Sequence, residues 1–134
     1  METSKPQGKV DYSSITAIVI DDDLDVLEIF VELLRLYGIN VVGTGFSGND
    51  ALKLYMAHNP DFVFMDYLMP EYNGLYGAKK IKEFDPQARI VLVSGSYFEN
   101  GALDNLVSAI LKKPIEINDV LNTIDKMIST INVK

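Results

Sequence analysis

The sequence predicts an α/β fold, a doubly wound parallel sheet of five strands with helices on both faces. Several runs of strand length are apolar throughout and do not alternate with polar residues, which is typical of strands covered on both faces. These runs alternate along the chain with segments whose apolar residues recur at helical spacing. A length of 134 residues is that of one domain with a single core.

The predicted elements follow one another in a regular order, as a parallel sheet with right-handed crossovers requires. The predicted strands cover residues 15–20, 40–44, 62–66, 90–93 and 108–111. The predicted helices cover residues 24–37, 48–58, 74–84, 98–106 and 117–131. The fourth of these segments is short and has a weak apolar pattern.

Capping and turn residues set the limits of the helices. The first helix carries one apolar stripe and ends at Gly38, a residue type that favours helix termination. Ser47 has the side chain of an N-cap for the second helix, which Asn59 and Pro60 end. Residues 1–14 are polar and lack periodicity, so we predict a flexible N-terminal segment before a single domain of residues 15–134.

Polar side chains follow the predicted strands at the points where the strands end. Asp21 and Asp22 follow the first strand, Asp66 ends the third, Ser94 follows the fourth and Lys113 follows the fifth. Because the carboxyl ends of parallel strands meet at one edge of the sheet, where ligands bind, we expect these side chains to lie together. Each of them alone would more often be a turn, helix-start or surface residue. Their occurrence together is what indicates a functional site.

Three carboxylates at one edge would repel one another unless a cation lay between them. Mg²⁺ suits such a site, because it binds one or two carboxylates and otherwise keeps water or phosphate ligands. A lysine and a hydroxyl nearby would supply donors to the oxygens of a transferring phosphoryl group. Asp66, on the central strand, is the candidate nucleophile, because a carboxylate can itself become an aspartyl phosphate.

Composition excludes several other classes of site and partner. The net charge of −7 argues against nucleic-acid binding, which needs clustered lysine and arginine. The sequence has no cysteine, so neither disulfides nor thiolate metal sites can form. No apolar run reaches the length of a membrane span, and the N-terminus lacks the pattern of a signal peptide. We therefore expect a cytoplasmic protein with neither a nucleic acid nor a membrane as partner.

Taken together, these segments resemble the receiver domains of two-component response regulators. The matching segments are residues 18–22 (Ile-Val-Ile-Asp-Asp), 65–70 (Met-Asp-Tyr-Leu-Met-Pro), 93–95 (Val-Ser-Gly), 113–114 (Lys-Pro) and Gly74. They occur in the order of that family, and the resemblance covers residues 15–132. It implies a flavodoxin-like sheet of strand order 2-1-3-4-5. It also implies that Asp66 accepts phosphate from a phosphohistidine of a histidine kinase or phosphotransfer protein.

The same resemblance implies a role for each residue of the site. Asp22, Asp66 and the backbone carbonyl of Leu68 would bind Mg²⁺, with Asp21 assisting through water. Lys113 would pair with the phosphoryl group, and its peptide bond to the following proline would be cis. Ser94 would turn to bond a phosphoryl oxygen and so shift a pre-existing conformational equilibrium.

Two features differ from the usual pattern of that family. Ile110 occupies the position of the usual switch aromatic, three residues before Lys113. The segment between Ser94 and Lys113 is also shorter than usual, so the fourth helix is expected to be short or partly unwound. Tyr97 is a candidate substitute for the missing ring. Leu68, two residues after Asp66, is apolar and cannot orient a water, which predicts a long-lived phosphorylated form; Ser96 holds the equivalent place after Ser94.

The function expected from the sequence is that of a stand-alone phosphorylation switch, not an enzyme beyond its own phosphorylation and dephosphorylation. Its output would pass to a downstream protein or through dimerisation. An EF-hand is disfavoured because Val26 replaces the glycine of its turn. A phosphatase is disfavoured because Leu68 replaces the acid that would protonate the leaving group. A pseudo-receiver, an interaction module that is never phosphorylated, stays as the alternative.

Overall fold

The computed structural model describes residues 11–70, 72–95, 103 and 105–132. Five strands are present: β1 (Thr16–Ile20), β2 (Asn40–Gly45), β3 (Phe62–Asp66), β4 (Ile90–Ser94) and β5 (Ala109–Lys112). The described residues also form four α-helices: α1 (Leu24–Leu36), α2 (Gly48–His58), α3 (Gly74–Phe84) and α4 (Ile117–Asn132). The sheet has the order β2-β1-β3-β4-β5, with every pair of neighbours parallel. The predicted fold class and strand order are therefore confirmed.

The sheet separates two apolar cores because side chains alternate between its faces. Val19 and Phe64 contribute to the core beneath α1 and α4, and Ile18 and Met65 to the core beneath α2 and α3. Every residue of β3 and β4 is buried, as is all of β1 after Thr16. Burial on both faces explains why these strands read as continuous apolar runs. It also holds their carboxyl ends rigidly in place.

Side-chain caps begin the helices where the sequence predicts them. The Ser47 side chain accepts a hydrogen bond from the Asn49 amide at the start of α2. Asn59 ends α2 in the left-handed conformation, with φ of 46°. Gly38 follows α1 with φ of +93°, a conformation that favours glycine. These contacts confirm Ser47, Asn59 and Gly38 as boundary residues.

The folded structure includes residues 12–14, which precede the domain boundary predicted at residue 15. Tyr12 begins a one-turn 3₁₀ helix, Tyr12–Ser14, and its ring is buried in the core. Its hydroxyl donates a hydrogen bond of 2.7 Å to Asp125 on α4. An isolated buried aromatic leaves no periodic pattern, so this contact could not be predicted from the sequence. Residues 1–10 lie outside the described residues.

The structure tests only part of what the sequence predicts for the region between β4 and β5. Strand β5 lies one residue later than predicted, and just before it the Ser108 side chain accepts a hydrogen bond from the Ile90 amide. Of the helix predicted over 98–106, residues 98–102 and 104 lie outside the described residues, and so do Ser96 and Tyr97. Residues 103, 105 and 106 form turns. The shortened fourth helix stays a prediction.

Replacing Tyr55 with phenylalanine is expected to lower the free energy of unfolding by about 1 kcal/mol at neutral pH. The buried Tyr55 hydroxyl donates to Asp85 Oδ2 at 2.6 Å, and this hydrogen bond holds the pKa of Asp85 below its ordinary value of 3.8. A carboxylate with a lowered pKa stabilises the folded state above its unfolded pKa, and that contribution disappears as the pH falls through its folded pKa.

Urea unfolding at several pH values would measure this effect, and carboxyl NMR would follow the pKa of Asp85. The same substitution at the exposed Tyr37 is the control. A pKa of Asp85 unchanged in the Tyr55→Phe variant would contradict the assignment.

Candidate functional site

The carboxyl edge of the sheet brings together the charged residues singled out in the sequence. Asp21 directly follows β1, Asp66 is the last residue of β3 and Lys113 directly follows β5. Lys113 Nζ lies 2.7 Å from Asp66 Oδ1 and 3.7 Å from Asp21 Oδ2. One lysine therefore pairs with carboxylates from two other strands. The Lys113–Pro114 peptide bond is cis, as the resemblance implies.

Asp21, Asp22 and Asp66 form an acidic cluster that fits a divalent cation. One carboxylate oxygen from each of them lies within 4.8 Å of the others. Asp21 and Asp66 are buried, whereas Asp22 is exposed, so the cluster is open on one side. An all-oxygen donor set with an open side suits Mg²⁺, which retains water ligands. Leu68, whose carbonyl is the fourth predicted ligand, has an exposed side chain in the loop after β3.

Burial and mutual repulsion set the protonation of this cluster. Burial raises the pKa of Asp66, against the opposing effect of the hydrogen bond and charge of Lys113. Burial also raises the pKa of Asp21, and the negative charge of Asp66 adds to the rise. For Lys113, burial alone would lower the pKa, but the hydrogen bond and charges of the two carboxylates raise it. Lys113 is therefore a fixed positive charge beside two carboxyl groups that favour a cation.

Close backbone packing shapes the loop between β3 and α3. The Gly74 amide donates to the Tyr67 carbonyl at 2.9 Å, which folds the loop back onto the end of β3. A Cβ atom at Gly74 would lie 2.5 Å from the Asp66 carbonyl oxygen and 2.8 Å from Leu92 Cδ1. No side chain larger than hydrogen fits there without moving the strand end. Gly74 therefore allows α3 to begin directly against Asp66.

Ser94 and Ile110 occupy different environments. Ser94 is the buried last residue of β4, and its carbonyl accepts a hydrogen bond of 3.0 Å from the Lys113 amide. Ile110 lies on the edge strand β5, opposite Leu92, and is 40% exposed. Isoleucine has no aromatic ring, so the residue at this surface position cannot report phosphorylation by rotation of such a ring.

Sequence reasoning missed Gly45 and Gly48, which lie beside this edge. The Asp21 amide donates to the Gly45 carbonyl at 3.0 Å, and the Gly48 amide donates to the Tyr72 carbonyl at 2.6 Å. Both contacts join backbone groups from distant parts of the chain. The only signal in the sequence is the recurrence of glycine around the predicted N-cap Ser47.

Among the residues that the structure describes, no helix combines the length and the apolar character that crossing a bilayer requires. The cytoplasmic location stays a prediction.

Comparison with known proteins identifies relatives that match most of the chain. The family model of the response regulator receiver domain matches residues 17–125. The chemotaxis protein CheY of Bacillus subtilis is 30% identical over 115 residues, which cover 84% of this chain and 96% of that protein. The transcriptional regulatory protein PdtaR of Mycobacterium tuberculosis is 30% identical over 114 residues, which cover 84% of this chain but 56% of that protein.

Solved structures agree with the sequence matches. A chain of the CheX-CheY-BeF3-Mg²⁺ complex from Borrelia burgdorferi matches with a TM-score of 0.78 and 25% identity, covering 85% of this chain and 89% of that one. A CheY-like receiver domain from Methylobacillus flagellatus matches with a TM-score of 0.75 and 27% identity, covering 84% of this chain and 98% of that one. The resemblance read from the site motifs is thus confirmed, and this chain belongs to the response regulator receiver domain family.

Proposed function

We propose that this chain is a phosphorylation switch in which Asp66 accepts a phosphoryl group from a phosphohistidine of a histidine kinase or phosphotransfer protein. One observation carries the proposal: the Asp66 carboxylate is buried at the end of the central strand with Lys113 Nζ 2.7 Å away. A carboxylate in this position would act as the nucleophile, and the ammonium beside it would stabilise the charge of a transferring group.

In the proposed transfer, a carboxylate oxygen of Asp66 bonds to phosphorus as the phosphorus–nitrogen bond of the donor breaks. The imidazole leaves with the electron pair of that bond and takes a proton from solvent. Lys113 then pairs with the phosphoryl oxygens in place of the free carboxylate, and the Ser94 hydroxyl donates to one of them. The chain supplies the phosphate acceptor and positioning, and the donor supplies the reactive bond.

We further propose that Asp21, Asp22, Asp66 and the Leu68 carbonyl bind Mg²⁺ at this site. The acidic cluster, with oxygens within 4.8 Å of one another, supports this set. The presence of Mg²⁺ in the Borrelia burgdorferi complex supports it as well. When bound, the ion would neutralise charge on the phosphoryl oxygens. Asp21 would act mainly through water, since its Oδ1 already accepts a hydrogen bond from the Asp23 amide at 2.9 Å.

The proposed output is a conformational change read by a downstream protein or by a second copy of this chain. Relatives differ in how much further chain they carry, because the match covers 96% of the Bacillus subtilis CheY but only 56% of PdtaR. A stand-alone regulator is the arrangement predicted from the sequence and stays a prediction. The pseudo-receiver is the second candidate, and the exposed Ile110 at the position of the switch aromatic favours it.

Intact-mass measurement after incubation with acetyl phosphate and Mg²⁺ tests the proposal. We expect the mass of one phosphoryl group to be added, and we expect chelation of Mg²⁺ during the incubation to prevent the addition. No added mass, together with no binding of beryllofluoride, would overturn the switch and favour the pseudo-receiver.

Replacing Leu68 with asparagine is expected to shorten the lifetime of the phosphorylated form. Leu68 is 70% exposed and two residues beyond Asp66, where an amide side chain would be able to orient a water and leucine is not. The decay of the added mass after removal of acetyl phosphate measures the lifetime. The same substitution at the exposed Leu36 is the control. A longer lifetime in the Leu68→Asn variant would contradict the prediction.

A further inference from the structure

The loop of residues 45–48 hydrogen-bonds to two segments of backbone that hold the two halves of the acidic site, the one that carries Asp21 and Asp22 and the one that follows Asp66. At one end, the Gly45 carbonyl accepts a hydrogen bond of 3.0 Å from the amide of Asp21. At the other end, the Gly48 amide donates a 2.6 Å hydrogen bond to Tyr72, in the loop that follows Asp66. The 45–48 loop therefore connects the backbone that carries Asp21 with the backbone that follows Asp66.

Packing around the 45–48 loop leaves it little freedom to shift. Within the loop, the Phe46 amide donates to Asp50 Oδ2 at 2.8 Å. A Cβ atom at Gly45 would lie 2.8 Å from Asp50 Cβ, and one at Gly48 would lie 2.6 Å from the Tyr72 carbonyl oxygen. Atoms at such distances repel each other, so no side chain fits at either glycine and both ends of the loop pack directly against neighbouring groups.

The described residues near Asp66 in the loop between β3 and α3 are also held by close contacts. Tyr72 is two residues before Gly74, whose position against the Asp66 carbonyl also excludes a Cβ atom. The Tyr67 amide donates to the Val93 carbonyl at 2.8 Å, so the start of this loop is fixed to β4. A movement of the loop between β3 and α3 is therefore passed on at the Gly48–Tyr72 hydrogen bond.

We propose that the 45–48 loop is a positioning element that holds the two halves of the acidic site at the separation needed for Mg²⁺ and the phosphoryl group. The inference rests on the proposed function of Asp66. Linkage requires the converse effect, because an element that changes the affinity of a site is itself changed when the site is occupied. Phosphorylation at Asp66 therefore changes the environment of Phe46 and of the start of α2, and this change does not depend on Ile110.

The first test compares glycine-to-alanine variants on the same edge of the sheet. Gly48→Ala forces the Tyr72 loop away and is expected to weaken Mg²⁺ binding by at least about tenfold, because small misplacements of a site are costly. Gly95→Ala is the matched control, since Gly95 directly follows Ser94 but a Cβ atom there meets nothing within 4 Å. Isothermal titration calorimetry with MgCl₂ measures the affinity, and urea unfolding verifies that each variant is folded.

A second pair of variants decides the matter if Gly48→Ala does not fold. Asp50→Ala removes the acceptor of the Phe46 amide, whereas Asp50→Asn keeps an acceptor oxygen and removes the same charge. The difference in Mg²⁺ affinity between these two variants therefore isolates the hydrogen bond that shapes the 45–48 loop. We expect Asp50→Ala to bind Mg²⁺ several-fold more weakly than Asp50→Asn.

The converse effect is measured with tryptophan as a fluorophore, since the sequence has none. Phe46 and Phe84 are 52% and 54% exposed, one on the 45–48 loop and the other at the far end of α3. We expect Mg²⁺ with beryllofluoride to change the fluorescence of the Phe46→Trp variant and leave that of Phe84→Trp unchanged. The change should disappear when Asp66→Asn is added to the Phe46→Trp variant.

The outcomes separate this inference from the proposed function. Normal phosphorylation by acetyl phosphate, with unchanged Mg²⁺ affinity in the folded Gly48→Ala variant and equal affinities in the Asp50 pair, would overturn the inference alone. The inference alone would also be overturned by a Phe46→Trp variant that gains the phosphoryl mass but whose fluorescence does not change with Mg²⁺ and beryllofluoride. If no variant and no unmodified chain gains that mass or binds Mg²⁺, both the function and the positioning role are wrong.

Discussion

Replacing Asp66 with asparagine is expected to abolish the addition of a phosphoryl group completely. Asparagine keeps the shape of the side chain but loses the charged oxygen that would bond to phosphorus. Lys113, which lies 2.7 Å from Asp66, keeps the carboxylate of Asp21 as a second partner at 3.7 Å. Intact mass after incubation with acetyl phosphate and Mg²⁺ measures the result directly.

The Asp66→Asn variant should remain folded, which makes the loss interpretable. Burial of several carboxylates is unfavourable, and the charge of Asp66 contributes to the raised pKa of Asp21. Removing one charge from the cluster should therefore leave the free energy of unfolding at neutral pH unchanged or slightly higher.

Asp61→Asn is the matched control, because Asp61 precedes the same strand at its opposite end. Its carboxylate accepts a hydrogen bond of 2.9 Å from the Thr16 amide, which an asparagine oxygen can also accept. This variant should gain the phosphoryl mass as the unmodified chain does. Addition of the mass to Asp66→Asn would show that another residue is the acceptor.

The fold was predictable because its strands obey one physical constraint. A parallel strand in the middle of a sheet, covered on both faces, is apolar along its length. Strands β3 and β4 could therefore be recognised from their own residues alone. The edge strand β5 has only one fully buried residue, Leu111, and its predicted limits were displaced by one residue. The predicted limits of β1, β2 and β4 also differ from the observed ones by one residue at one end, so burial explains why the strands could be recognised and not where each of them ends.

The charged residues of the site were predictable for a related reason. Parallel strands must end at one edge, so Asp21, Asp66 and Lys113 could be grouped from their positions after strands, and the structure places them within ion-pair distance. Residues that act through the backbone give no such signal. Gly48 contributes an amide to the Tyr72 carbonyl, and any residue type except proline has an amide.

Tyr12 illustrates a second limit of sequence reasoning. Its hydroxyl contacts Asp125, a residue 113 positions away in the chain. Neither residue lies in a pattern that identifies the other, and the polar stretch before Tyr12 has the composition of a flexible segment. Long-range contacts of single side chains therefore require the folded structure.

Replacing Lys113 with alanine is expected to have opposite effects on cation binding and on phosphorylation. Lys113 is a positive charge within 3.7 Å of two carboxylates that would bind Mg²⁺, so its removal should raise Mg²⁺ affinity by about tenfold. The same removal takes away the donor to the phosphoryl oxygens. Loss of one such donor slows catalysis by about 10²-fold in enzymes, and we expect a similar decrease in the rate of phosphorylation here.

These opposite signs distinguish a role in the reaction from a role in folding. A variant that was merely misfolded would lose both Mg²⁺ affinity and phosphorylation. Lys112→Ala is the matched control, because it removes the same charge one residue earlier, from an exposed position at the end of β5. Calorimetric titration with MgCl₂ and the time course of mass addition supply the two measurements. A Lys113→Ala variant phosphorylated at the unmodified rate would show that the charge beside Asp66 serves the folded structure and not the transfer.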